Sequence, residues 1–313
     1  MSTLYLDHAN ALLTLESNAL VVWLGEQRQR SIPLALLERV VCIGNVQLDT
    51  RVLTALAAQG IAFSAINARH VERRVLLVGS SHNQAQLRLL QYRLVQDPVW
   101  RLRVSQQLMA AKWEGHLRLM ERLLMQRPDQ RKALTEAQAQ LIHQLAQLSQ
   151  VTQLNSLLGM EGAAARAVFQ ALSAVFPASL GFTTRQRRPP PDPVNACLSL
   201  AYTLLHKRAV QIIHALGLEP LLGFYHEPSF GRESLASDVI EVWRPVMDEW
   251  VWELFRVQRL RLEHFKFEQG ACYLDKGGRQ VFFAALELRL KSVTRALRWQ
   301  VRALIRMMQQ EGE

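Results

Sequence analysis

Acidic residues are in short supply: 27 Asp and Glu stand against 37 Lys and Arg, a formal net charge of +10 over 313 residues. A lasting surplus of cations on a globular surface has a polyanion to meet. The surplus alone does not choose between DNA, RNA and a membrane surface. Cysteine is scarce as well. Cys42, Cys197 and Cys272 are isolated and odd in number, which excludes a disulfide framework and a zinc knuckle. Long hydrophobic runs are missing: stretches such as Ala19–Gly25 and Val75–Gly79 fall far short of the ~20 residues that span a bilayer. Met1–Asp7 carries an acid and no basic leader, so no secretory signal is read there. These gaps predict a soluble, cytoplasmic protein with no membrane association. Core material, by contrast, is plentiful. A hydrophobic content of 49% against 20% charged excludes a disordered chain, and the length suggests about two domains.

The texture of the chain changes once. Up to about residue 80, short β-branched or aromatic runs alternate with turn residues: Leu4-Tyr5-Leu6, Leu12–Leu15, Ala19–Leu24, Val40–Ile43, Ile61–Ile66 and Arg73–Val78. Gly25–Arg30, Gly44-Asn45 and Asn67-Ala68 read as turns. One helix interrupts them, capped by Asp49, with Val52, Leu53 and Leu56 as its apolar face and Gly60 as its end. After Ser80-Ser81-His82-Asn83, helical periodicity takes over. Met109, Trp113, Leu117, Met120 and Leu124 form one apolar stripe. A helix is expected from about Thr152 to Phe176. Another opens at Asp192-Pro193 with Leu198, Ala201, Leu205, Ala209 and Ile212 inside, and closes near Gly217. Lys276-Gly277-Gly278 predicts a hairpin between Ala271–Leu274 and Gln280–Phe283. The fold class is therefore α+β: a β-rich N-terminal domain over residues 1–80, a linker over 81–92 and a larger helical domain over 93–313.

Two places break the pattern. In the stripe Leu154, Leu158, Glu161, Ala165, Val168 and Leu172, a carboxylate stands on the face that should be buried. Such a group has to meet a cation, a metal or water in a cleft. An ordinary salt bridge to Arg166 or another core arginine is the plainer way to satisfy it. The second place is Gly223–Pro228, followed by a helix that places Asp238 and Glu241 on one face, with His226 just upstream. A neutral imidazole with carboxylates can bind a divalent cation. A structural histidine beside acids that complement a helix dipole reads equally plainly.

Taken in order, three motifs resemble one family. They are Gly159-Met160-Glu161-Gly162-Ala163-Ala164-Ala165-Arg166, then Asp192-Pro193-Val194-Asn195-Ala196-Cys197-Leu198-Ser199-Leu200-Ala201-Tyr202, then the His226 block running into Asp238-Val239-Ile240-Glu241-Val242-Trp243-Arg244-Pro245. They resemble the CRISPR adaptation integrase, the universal spacer-acquisition protein of prokaryotic CRISPR systems. The 65 residues from Glu161 to His226 and the 15 from His226 to Glu241 agree with it. Leu4-Tyr5-Leu6, Asn83 with Arg88 and Gln91, and Tyr273-Leu274 with Gly278-Arg279 are similar to family positions too.

The resemblance implies an N-terminal β-domain that forms the homodimer, and a helical domain that holds Mg2+ or Mn2+ on Glu161, His226 and Glu241. Asp238 takes a supporting role, as a water-mediated ligand or as the group that orients His226. Asn195 would hold helix geometry near the site. Two homodimers would sandwich a dimer of a small ferredoxin-like CRISPR-associated adaptation protein in a heterohexamer. The implied reaction is CRISPR spacer acquisition by an endonuclease and integrase: the 3′-hydroxyl of a protospacer DNA attacks a phosphodiester of the CRISPR repeat by metal-assisted transesterification.

The double-stranded DNA would be held through its phosphates. Candidates are Arg69, Arg73 and Arg74, the loop Arg185, Arg187 and Arg188, and Arg166, which either orients Glu161 or touches a phosphate. Arg295, Arg298, Arg302 and Arg306 recur at helical spacing and read either as a grip or as a solvated face. The competing functions are a catalytically inactive DNA-binding scaffold and a branched-DNA nuclease of DNA repair.

Overall fold

Period-two hydrophobicity gives way to period 3.6 near residue 80 of the sequence. The computed structural model describes residues 2–8, 10–43, 45–66, 74–77 and 84–312. One compact unit comprises Met1–Gln84 with His214–Gly217; the other comprises Ala85–Ile213 with Leu218–Glu313.

In the first unit, strands β1 (Ser2–Leu6), β2 (Ala11–Glu16), β3 (Ala19–Leu24), β4 (Gln27–Pro33), β5 (Leu37–Ile43) and β6 (Val46–Leu48) precede helix α1 (Thr50–Ala58). Strands β7 (Ala62–Ile66) and β8 (Arg74–Leu77) follow it. They make two four-stranded sheets, ordered β1-β5-β7-β8 and β4-β3-β2-β6. The β2–β3 hairpin turns through Ser17 and Asn18, both at positive φ, which sets Leu15 opposite Leu20 and Leu13 opposite Val22. Leu13, Leu20 and Leu34 pack with Val40, Val52, Leu56 and Phe63 in one core. Asp49 caps α1 as expected, accepting the Arg51 N–H at 2.9 Å. Two strands escaped the sequence reading. Gln27–Pro33 is polar and almost wholly exposed; it is a strand because its backbone pairs with β3 at the sheet edge, not because of its side chains. Val46–Leu48 is only three residues long.

The second unit opens with α2 (Ala85–Gln96), so the expected linker is helical from Ala85 onward, and its residues 81–83 lie outside the described ones. Leu87, Gln91 and Leu94, at helical spacing, form its buried face. Next come α3 (Pro98–Gln126), capped by Asp97 with proline at its first position, and α4 (Arg131–Gln147). The buried face of α3 carries Met109, Trp113 and Met120 as expected, but also Lys112, His116, Leu119 and Leu123. Helix α5 (Leu154–Val175) buries Leu157, Ala164, Val168 and Leu172, whereas Leu158 is exposed. Helix α6 (Pro193–Ala215) is buried on nearly every side, as a central helix must be. Then follow α7 (Ser234–Glu241), α8 (Arg244–Arg256), the hairpin strands β9 (Phe265–Glu268) and β10 (Ala271–Leu274), and α9 (Lys276–Gly312).

The expected hairpin is displaced. Its turn is Gln269-Gly270, both left-handed, and β10 pairs with β9. Gln280–Phe283 lies inside α9. Asp275 caps that helix by accepting the Gly278 N–H at 2.6 Å. Gly278 is there for close approach rather than for a turn, because a Cβ would lie 2.5 Å from the His264 carbonyl oxygen. Among the described residues no helix is long and apolar enough to cross a membrane.

Candidate active site

Three helices and one loop of the second unit bring the sequence anomalies together. The loop Gly223–His226 is pinned by a fully buried carboxylate. Asp238 Oδ2 accepts the N–H groups of Phe224 at 2.6 Å and Tyr225 at 3.0 Å; Oδ1 accepts the His226 N–H at 2.9 Å and lies 2.7 Å from His226 Nδ1. The approach depends on Gly223, whose Cβ would lie 2.7 Å from Asp238 Oδ2 and 2.8 Å from the Ser234 backbone. Further contacts fix the loop from outside. Gln91 donates to the carbonyls of Glu219 and Leu222, and Arg101 donates to the Phe224 carbonyl and to Glu227. With Nδ1 against Asp238, the other ring nitrogen of His226 is the one available for a ligand.

Glu161 on α5 and Glu241 at the end of α7 meet the same cation. Lys112 Nζ lies 2.6 Å from Glu161 Oε1 and 2.6 Å from Glu241 Oε2. The Lys112 and Glu241 side chains are 5% exposed and Glu161 is 26% exposed, so the cluster opens on the Glu161 side. Arg244 takes the second oxygen of Glu241 at 2.8 Å. Burial pushes the Glu241 carboxyl pKa up, but Arg244, Lys112 and His226 outweigh burial and hold it down at about 2. Lys112 is the residue the sequence reading missed. Its signal was a lysine on the apolar stripe of α3, the counterpart of the glutamate on the stripe of α5. The expected partner Arg166 is exposed, and it is Lys112 that makes the ion pair.

A second buried network adjoins the first. Asp248 Oδ2 lies 3.2 Å from His116 Nε2, and the Tyr202 hydroxyl donates to Asp248 Oδ1. Arg244 joins the two networks, its guanidinium 4.7 Å over the Tyr202 ring. Asn195 is fully buried on α6. Its amide donates to Asp192 at 2.6 Å and to the Thr184 carbonyl at 2.9 Å, and its oxygen accepts Arg185 and the Gln186 N–H. Asn195 thus fastens the 184–186 loop to α6.

The DNA candidates separate. Arg185 is turned inward onto Asn195 and Ser199, where it anchors the loop. Arg187 and Arg188 are exposed beside it, as is Arg166. Arg74 opens β8, while Arg69 and Arg73 lie outside the described residues. Arg295, Arg298, Arg302 and Arg306 are all exposed on α9, with Arg306 5.8 Å from the centre of the exposed Trp299 ring.

The donor chemistry fits a hard divalent cation. Two anionic carboxylates already share one cation, an imidazole nitrogen is free, and the buried Tyr225 hydroxyl lacks a hydrogen-bond partner. That hydroxyl sits in the field of Glu161 and Glu241; burial first, then those carboxylates, push its pKa up. The arrangement itself is another matter. Among the described residues no three His, Cys, Asp or Glu side chains are gathered as a metal-binding group. The Lys112 ammonium stands between the two glutamates.

These features define an α+β protein whose helical unit holds a charge-paired cluster of carboxylates, an imidazole and an ammonium. The chain belongs to the CRISPR associated protein Cas1 family, whose model matches residues 4–288. A relative from Thermodesulfovibrio yellowstonii, named a CRISPR-associated endonuclease Cas1, is 34% identical over 100% of this chain and 99% of its own. Two solved structures share the fold. One is a casposase bound to integration product, with a TM-score of 0.88 and 19% identity over 99% of this chain and 91% of its own. The other is a Cas6-RT-Cas1–Cas2 complex, with a TM-score of 0.85 and 22% identity over 99% of this chain and 35% of that one.

Proposed function

We propose that the chain is a metal-dependent DNA endonuclease and integrase of CRISPR spacer acquisition, joining the 3′-hydroxyl ends of a protospacer duplex to the CRISPR repeat. One observation carries the reading: Glu161 and Glu241, two of the three residues singled out by motif, share the Lys112 ammonium, and the third, His226, is fixed by Asp238 and acts electrostatically on Glu241. Glu161, Glu241 and the free nitrogen of His226 are the residues that would hold Mg2+ or Mn2+. When bound there, such an ion would supply acidification of the attacking hydroxyl and neutralisation of charge on the scissile phosphate.

This chain's own residues do the rest. Asp238 keeps the His226 proton on Nδ1, so the other nitrogen stays a lone-pair donor. Arg244 keeps Glu241 anionic and oriented. Exposed Arg166, Arg187 and Arg188 bind phosphates and position the duplex without reading bases. Exchange of one phosphodiester for another needs no covalent protein intermediate. The relative named an endonuclease and the structure named as bound to integration product support this chemistry. The complex named with Cas2 supports assembly with a small adaptation partner, two homodimers built through the β-rich unit holding a partner dimer between them.

The test mixes purified protein, with and without that partner, with a 3′-hydroxyl duplex, Mn2+ and a supercoiled plasmid carrying a repeat array. Covalent joining of donor to plasmid is expected. Cutting of branched DNA without joining assigns the chain to repair. Salt-sensitive binding with neither activity assigns it to a scaffold.

A further inference from the structure

We propose that Lys112 is the resident counter-cation of the Glu161–Glu241 pair, standing where the two carboxylates share a divalent ion, and that its ammonium gives way when the ion binds. The inference rests on the metal reading above and deepens it. Lys112 Nζ is 2.6 Å from an oxygen of each glutamate, so those oxygens are separated by about 5 Å at most. Two anions that close repel unless a cation lies between them. Arg244 takes the far oxygen of Glu241, so the two glutamates are directly paired with two cations, and only the Lys112 ammonium lies between them. A divalent ion bound by both of those oxygens would lie directly against the ammonium, cation against cation. The same ion replacing the ammonium keeps both carboxylates paired without that repulsion.

Residue type and exposure agree with this exchange. An ammonium is a compact charge on a flexible stem of four carbons and can withdraw, unlike a planar guanidinium fixed by paired hydrogen bonds. Entry is from the Glu161 side, where the carboxylate is 26% exposed, against 5% for Glu241. Lys112 therefore keeps both glutamates in register before the ion arrives and competes with it afterwards.

The experiment compares the full-length protein with Lys112→Met, measuring Mn2+ affinity by electron paramagnetic resonance and melting temperature in EDTA and in Mn2+. The variant should bind Mn2+ about tenfold more tightly or better. Its melting temperature should fall in EDTA and recover with Mn2+. An unchanged or weaker Mn2+ affinity, with melting lowered equally in both buffers, makes Lys112 a plain structural ion pair and overturns the proposal. A second measurement uses the unmodified protein, so that poor folding of the variant cannot hide the answer: lysine-directed labelling read by mass spectrometry. Lys112 should be protected in EDTA and label several-fold faster at saturating Mn2+; equal labelling overturns the proposal. If neither the unmodified protein nor the variant binds Mn2+, the metal reading itself fails, a result distinct from equal affinities.

Discussion

Asp238 and His226 are joined twice, once through the His226 backbone N–H at 2.9 Å and once through the ring Nδ1 at 2.7 Å, both to the same carboxylate oxygen. Because the other oxygen takes two more backbone N–H groups, this one carboxylate shapes the loop and sets the tautomer of the imidazole. Asp238→Asn keeps the size but turns an amide donor toward groups that already donate. The expected result is a loss of about 2 kcal/mol in urea unfolding. Mn2+ affinity should fall roughly 10- to 100-fold.

Gly223 makes that geometry available. Gly223→Ala should destabilise by about 1–3 kcal/mol and weaken Mn2+ binding as Asp238→Asn does, because its Cβ would overlap Asp238 and Ser234. Gly159→Ala is the control. Nothing lies within 4 Å of a Cβ there, and the residue is helical, so a gain of about 0.5–1 kcal/mol is expected from thermal or urea unfolding.

Acid should unfold the protein partly through Glu241. Its folded pKa of about 2 lies below the ordinary 4.5, so its ion pairs contribute full stability above pH 4.5. That contribution is lost as pH falls toward 2, and is on the order of 3 kcal/mol. Denaturation measured between pH 5 and 2 should be steeper for the unmodified protein than for Glu241→Gln, which has no such proton to take up.

The three thiols should be inert in the folded state. Burial raises the pKa of Cys42 and Cys272 to about 12, and that of Cys197 rises as well. At pH 8 a chromogenic disulfide reagent should find no fast-reacting thiol, whereas in guanidinium it should find three.

How much of this was legible in the sequence follows from which interactions are local. The Asp49 cap, the Asp192-Pro193 helix start and the β2 and β3 runs are written in neighbouring residues, and they appear where expected. Strand β4 is not, since only pairing with β3 makes polar Gln27–Pro33 extended. The hairpin was misplaced because Gly277-Gly278 reads as a turn, whereas Gly278 lets α9 start against His264. In the site, Glu161 was visible as an acid on an apolar face, but its partner was sought among arginines. The pairing crosses 49 residues between α3 and α5, and spacing within one helix carries no trace of it. The bonds of Arg185 to Asn195 and Ser199 were hidden for the same reason, since they are made across the loop.

Donor joining by His226→Ala and Glu161→Ala tests the central claim most directly. The measurement is covalent transfer of a labelled 3′-hydroxyl duplex into repeat-bearing plasmid with Mn2+, alongside circular dichroism and DNA-binding controls. The account predicts that both variants stay folded, bind the duplex and lose joining by at least about a hundredfold. Joining that survives in both variants at the level of the unmodified protein contradicts it.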